Sequence, residues 1–108
     1  MKKINYVFPL LALLSAPAFA DNASDHALAV KNGCTACHAS ETKIVGPSFV
    51  SVAEKYKDDS EASKKLHKKI KEGGKGVWGR IPMPAHEEIS DSDLNTLVAW
   101  ALRGGPQK

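Results

Sequence analysis

Gly33-Cys34-Thr35-Ala36-Cys37-His38 is the stretch that decides how this chain folds. Two thiols three positions apart, followed at once by an imidazole, admit three chemistries. A thioredoxin-like redox pair belongs in a βαβ unit, and no run of this sequence looks like parallel strands. A structural zinc site takes four ligands, and the chain holds only these two cysteines. C-x-x-C-H is the attachment signature of a c-type haem. The reason is geometric. Thiols on one helical turn can reach the two vinyl groups of the macrocycle, and His38 is then carried beneath the iron. Covalent haem is therefore expected on Cys34 and Cys37, with His38 as a metal ligand.

Working outward, the amino terminus reads as a secretory leader. Met1-Lys2-Lys3 is basic, Ile4 to Leu14 is apolar, and Ala18-Phe19-Ala20 is a small-x-small cleavage site. The apolar stretch is about half the roughly 20 residues a membrane span requires. Residues 1–20 are thus expected to be removed as a signal peptide, leaving residues 21–108 as one domain of 88 residues. The whole chain has a formal charge of +3, but without Lys2 and Lys3 the balance is 13 bases to 12 acids. Near-neutrality argues against nucleic-acid binding, which usually brings a strong basic excess. The length excludes a multidomain enzyme and a repeat array. A core this small often needs a staple, and a disulfide between Cys34 and Cys37 would close too short a loop to supply it.

A haem with a second protein ligand mostly moves electrons, and the candidate ligands are Met and His. Beyond the leader there is one methionine, Met83, 45 residues after His38 in Ile81-Pro82-Met83-Pro84. The flanking prolines fix φ and forbid helix, which places Met83 on a stiff extended loop. A flexible thioether on a rigid loop suits a metal ligand better than a core filler. The other histidines are weaker candidates: His26 falls in the first helix, His67 on a lysine-rich helix face, and His86 beside the Met83 loop.

Helical periodicity dominates the rest. Ser24 is expected to cap a first helix running through Val30, ended by Asn32-Gly33. Pro47 opens a second, with Phe49, Val52 and Tyr56 on one face. Asp59 or Ser60 starts a third, on which Ala62, Leu66 and Ile70 repeat every four residues until Gly73-Gly74. The last helix takes Ser90 as N-cap and Ile89 and Leu94 as a hydrophobic staple. Leu94, Leu97, Val98 and Ala101 form its apolar stripe, and Gly104 its end. Residues 105–108 are expected to fray. The glycine-rich segment from Gly73 to Gly79 suggests backbone lying against something flat, with the body of Trp78 buried.

At these residues the chain resembles small bacterial class I cytochromes c of the c-551/c-552 type. The resemblance spans residues 25–103. It is carried by Gly33-Cys34 to His38, Thr42-Lys43-Ile44-Val45-Gly46-Pro47, Gly76-Val77-Trp78-Gly79, Ile81-Pro82-Met83-Pro84 and the final helix with Trp100. It implies an all-α class I cytochrome c fold, about four helices wrapped around one covalently attached haem, with His38 and Met83 axial. It implies that the Pro47 carbonyl accepts the other ring N–H of His38, and that Trp78 and Lys69 face a propionate. Two departures stand out. Ala85-His86 replaces the Pro-Asn usual in the group, and Arg80 is charged where the group commonly is not.

The function that follows is a periplasmic one-electron carrier, a monomer that catalyses no bond chemistry and makes no stable membrane insertion. The resemblance implies a cytochrome bc-type donor and a terminal oxidase or haem-containing nitrite reductase as acceptor. Electrons would cross near Ile44, Val45, Arg80 and Ile81. The alternative is a haem enzyme or gas- or peroxide-binding protein with an open sixth site, which requires that Met83 not bind iron. The lysine run from Lys64 to Lys75 is either a solvated helix face or a handle that steers the carrier to an acidic partner.

Overall fold

Ser90 leaves the chain extended (φ −63°, ψ 154°), and its hydroxyl accepts the Asp93 N–H at 3.1 Å, which starts the helix Asp91–Leu102. This helix, α4, is the hub against which the others pack. They are α1 (Asn22–Lys31), α2 (Phe49–Tyr56) and α3 (Ala62–Glu72), and each touches α4. The computed structural model describes residues 2–7, 9 and 21–108. The expected cleavage site at Ala18-Phe19-Ala20 and most of the leader's apolar run lie outside the described residues. Among the described residues there is no β-strand, only two isolated bridges, and no helix is long and apolar enough to cross a membrane.

The apolar stripe of α4 is buried as its spacing requires: Leu94, Leu97, Val98 and Ala101 face inward, and Ile89 is buried with Leu94. Phe49 of α2, Ala29 of α1 and Trp100 complete one cluster, and Val52, Leu66 and Val98 form a second. Phe49 meets Trp100 edge-on at 4.6 Å between ring centroids.

The helix starts differ from expectation in three places. Asp21, not Ser24, caps α1, its carboxylate accepting from Ala23 and Ser24 N–H at 3.0 and 3.2 Å. A carboxylate there also complements the positive end of the helix, and Ser24 instead donates back to the Asp21 carbonyl. Ser48 rather than Pro47 opens α2, accepting the Ser51 N–H at 3.1 Å. Helix α3 begins at Ala62, because Asp59 is used one turn earlier, where its carboxylate accepts the Glu61 N–H at 2.8 Å.

The carboxyl terminus is tied down, not frayed. Ser40 donates to the Gly105 carbonyl at 2.6 Å, the Trp100 indole N–H to Pro106 at 2.8 Å, and Asn22 to Lys108 at 3.0 Å. Gly105 packs so closely on Phe49 that a Cβ there would strike the ring.

Candidate functional site

A cavity of about 270 Å³ opens between α2, α3, α4 and the two loops that hold Cys34 to Pro47 and Gly74 to Pro84. Cys34, Cys37, His38, Pro47, Lys69, Trp78 and Met83 all line it. Its floor is the core itself, through Phe49, Leu66, Leu97 and Trp100. His26, His67 and His86 do not line it. His26 lies 6.0 Å from the Trp100 ring, His67 is 3.6 Å from Asp91, and His86 is 3.6 Å from Glu88.

Cys34 opens a short 3₁₀ turn, Cys34–Ala36, entered through Gly33 at φ +76°, where a side chain would be strained. The His38 N–H closes back on the Cys34 carbonyl at 3.0 Å, so the turn presents both thiols and the imidazole together. Burial pushes the Cys34 thiol above its ordinary range, partly opposed by a backbone hydrogen bond. That is opposite to the lowered value a thiolate redox centre needs, and it argues against the thioredoxin-like chemistry.

His38 is held from three sides. Its Nδ1 lies 2.7 Å from the Pro47 carbonyl. A carbonyl only accepts, so Nδ1 carries the proton and Nε2 keeps the lone pair that a metal would take. Phe49 stacks on the ring at 5.3 Å and 29°. Gly46 passes directly over the imidazole, where a Cβ would collide with it. The Gly46 N–H to the Cys37 carbonyl, 2.8 Å, closes that loop.

Met83 comes from the other side, on extended backbone paired antiparallel with Gly74. Their N–H groups and carbonyls exchange bonds of 3.0 and 2.8 Å. Gly73, at φ +71°, makes the turn out of α3 and leaves no room for a Cβ, which would lie 2.5 Å from the Met83 carbonyl. No local sequence signal announced this clasp beyond the paired glycines.

Trp78 departs from expectation. Its body is 42% exposed, on the cavity rim, and the Lys55 ammonium sits 5.4 Å from its ring centroid. Lys69 is half-buried on the α3 wall, its ammonium against Gly74.

The residues present suit a haem. Two thiols and an oriented imidazole meet a thioether across an apolar floor, and close glycines at Gly46 and Gly73 let the backbone press in from both sides.

Comparison with known proteins agrees with this donor set. The family model described as Cytochrome c matches residues 26–103. Cytochrome c-552 of Nitrosomonas europaea is 49% identical over 79 residues, 73% of this chain and 77% of that one. Cytochrome c-551 of Pseudomonas aeruginosa is 46% identical over 81 residues, 74% of this chain and 77% of that one. The crystal structure of wild-type Nitrosomonas europaea cytochrome c552 superposes with a TM-score of 0.70, covering 72% of this chain and 96% of the other.

Proposed function

The chain belongs to the cytochrome c family, as a small class I member of the c-551/c-552 type with a covalent c-type haem and an electron-carrier role; on that premise we propose that it carries single electrons in the periplasm through a His38/Met83-ligated iron. One observation supports this above the rest: the seven candidate site residues, from four separate segments, line one cavity.

In this reading Cys34 and Cys37 hold the macrocycle by thioether bonds, and Pro47 sets the orientation of the His38 ring through its carbonyl. Lys69 and Trp78 attend the propionates. The bound group supplies a ferric–ferrous couple, and the protein makes and breaks no bonds. Met83 contributes a soft, uncharged sulfur and the core floor excludes water, and both favour the less charged ferrous state and raise the potential. Residues 1–20 direct export and are removed, which fits attachment of haem c outside the cytoplasm. Electrons arrive from a cytochrome bc-type donor and leave to a terminal oxidase or a haem-containing nitrite reductase.

The optical spectrum of purified protein tests the reading. Covalent colour that survives denaturation, a low-spin ferric form and the weak charge-transfer band of a ferric–sulfur bond are expected. A high-spin ferric form that binds added ligands freely would overturn it.

A further inference from the structure

Lys43, Lys69, Lys75 and Arg80 line the cavity, and no carboxylate does, although residues 21–108 carry 12 acids against 13 bases. Lys69 is half-buried on the α3 wall. Lys43, Lys75 and Arg80 are exposed, and among the described residues none of the three is in an ion pair. Acids elsewhere are engaged: Asp25 with Arg103, Asp59 with Lys65, Glu54 with Lys57.

These cations stand inside an apolar patch. Lys43 precedes Ile44 and Val45, 53% and 44% exposed, and Arg80 precedes Ile81, 67% exposed. The Gly76 N–H to Gly79 carbonyl bond, 2.9 Å, and Gly79 at φ +123° form a tight turn that delivers Arg80 to the rim. An exposed apolar patch on a small protein marks an interaction surface. Cations within it set which surfaces it accepts. Two such faces repel one another, whereas a carboxylate can take the Arg80 guanidinium in a bidentate pair.

We propose that the cavity opening is an interaction face for a redox protein whose own contact surface is apolar and edged with Asp or Glu carboxylates. Arg80, supported by Lys43 and Lys75, sets that preference and makes the face reject a second copy of this chain. The proposal deepens the electron-carrier reading and rests on it.

Electron self-exchange tests it with the protein alone. One electron passes from a ferrous copy to a ferric copy, and the rate is read from NMR line broadening in samples of mixed oxidation state. Wild-type exchange is expected to be slow at low salt and to rise with salt, as screening removes the repulsion. Arg80→Gln is expected to exchange several-fold faster at low salt, with a flatter salt dependence. Hexacyanochromate(III), a paramagnetic and redox-inert trianion, gives a second readout. It should broaden the backbone amides of Lys43 and of Gly79 to Ile81, and less so in Arg80→Gln. Salt-independent exchange unchanged by Arg80→Gln, or broadening centred on Lys64 and Lys68, would overturn the proposal. Failure of the carrier reading shows separately, as wild-type ferrous protein that binds carbon monoxide.

Discussion

Gly74 and Met83 hold each other by two backbone hydrogen bonds, 3.0 Å from the Gly74 N–H and 2.8 Å from the Met83 N–H. The clasp is independent of the methionine side chain. It presents the thioether to the cavity from a backbone position set by the end of α3, and the side chain is free to serve as a ligand, not as packing. Substitution at Met83 therefore separates chemistry from fold.

Met83→Ala should keep the clasp and the helices while losing the axial sulfur. The expected protein is high-spin or rebinds a histidine, takes up carbon monoxide readily and has a lower potential. An unchanged low-spin spectrum and potential would exclude Met83 as ligand.

Gly73→Ala attacks the clasp itself. An alanine at φ +71° costs about 1 kcal/mol in backbone strain, and its Cβ would lie 2.5 Å from the Met83 carbonyl. The charge-transfer band of the ferric–sulfur bond should therefore disappear on heating well before helical circular dichroism does. Coincident loss of both signals, as in the wild type, would show that the clasp does not govern the methionine.

Folding without the prosthetic group is expected to fail. Phe49, Val52, Leu66, Leu97, Trp100 and Ala101 belong at once to the core and to the cavity wall, so much of this small core is completed by what fills the cavity. Cys34→Ala/Cys37→Ala protein made without haem should lack a cooperative thermal transition by circular dichroism. A sharp, helix-rich transition in that protein would refute the argument.

Arg103 joins the two ends of the domain, donating to Asp25 at 2.8 Å and to Asn22 at 3.0 Å. Asp25 is only 9% exposed. Arg103→Gln leaves a buried carboxylate with a weaker partner, and a hydrogen bond to a charged group is worth about 1.5–3 kcal/mol. The melting temperature should fall by several degrees. The visible spectrum should not change, because Arg103 does not line the cavity.

What could be read in advance follows the range of the forces involved. Cys34 to His38 and Pro82-Met83-Pro84 declare themselves because covalent attachment and fixed φ angles write their demands into adjacent residues. Helix α4 declares itself because its cap, staple and stripe are local. The tail after Gly104 does not. Its anchors, Ser40 to Gly105 and Asn22 to Lys108, join residues 65 and 86 positions apart. The start of α2 was misplaced for a related reason: Ser48 caps the helix, and the Pro47 carbonyl turns to His38, nine positions earlier. The exposure of Trp78 on the rim likewise depends on Lys55 of α2.

The lysine run on α3 gives the last prediction. Its two expected stripes are not equally free. Lys71 donates to the Ile89 carbonyl at 3.1 Å, and Lys65 meets the Asp59 carboxylate at 2.6 Å. The bond from Lys65 holds the Asp59 carboxyl below its ordinary range, and the same partner raises the Lys65 ammonium. Asp59 therefore adds stability above the ordinary carboxylate pKa of about 4, lost as pH falls through its lower folded value. Lys65 adds stability below its ordinary pKa of about 10.4, lost as pH rises through its higher folded value. Lys64 and Lys68 remain exposed and, among the described residues, without an ion-pair partner, but neither lines the cavity. Exposed charges a Debye length of about 8 Å or more from the transfer edge are largely screened at physiological ionic strength. Lys64→Gln/Lys68→Gln is therefore expected to leave oxidation by hexacyanoferrate(III) nearly unchanged at physiological salt, while Arg80→Gln slows it. Stopped-flow traces across a salt series make the comparison. A double variant slowed as much as Arg80→Gln would move the attracting charge from the cavity rim to α3 and revive the lysine run as the steering handle.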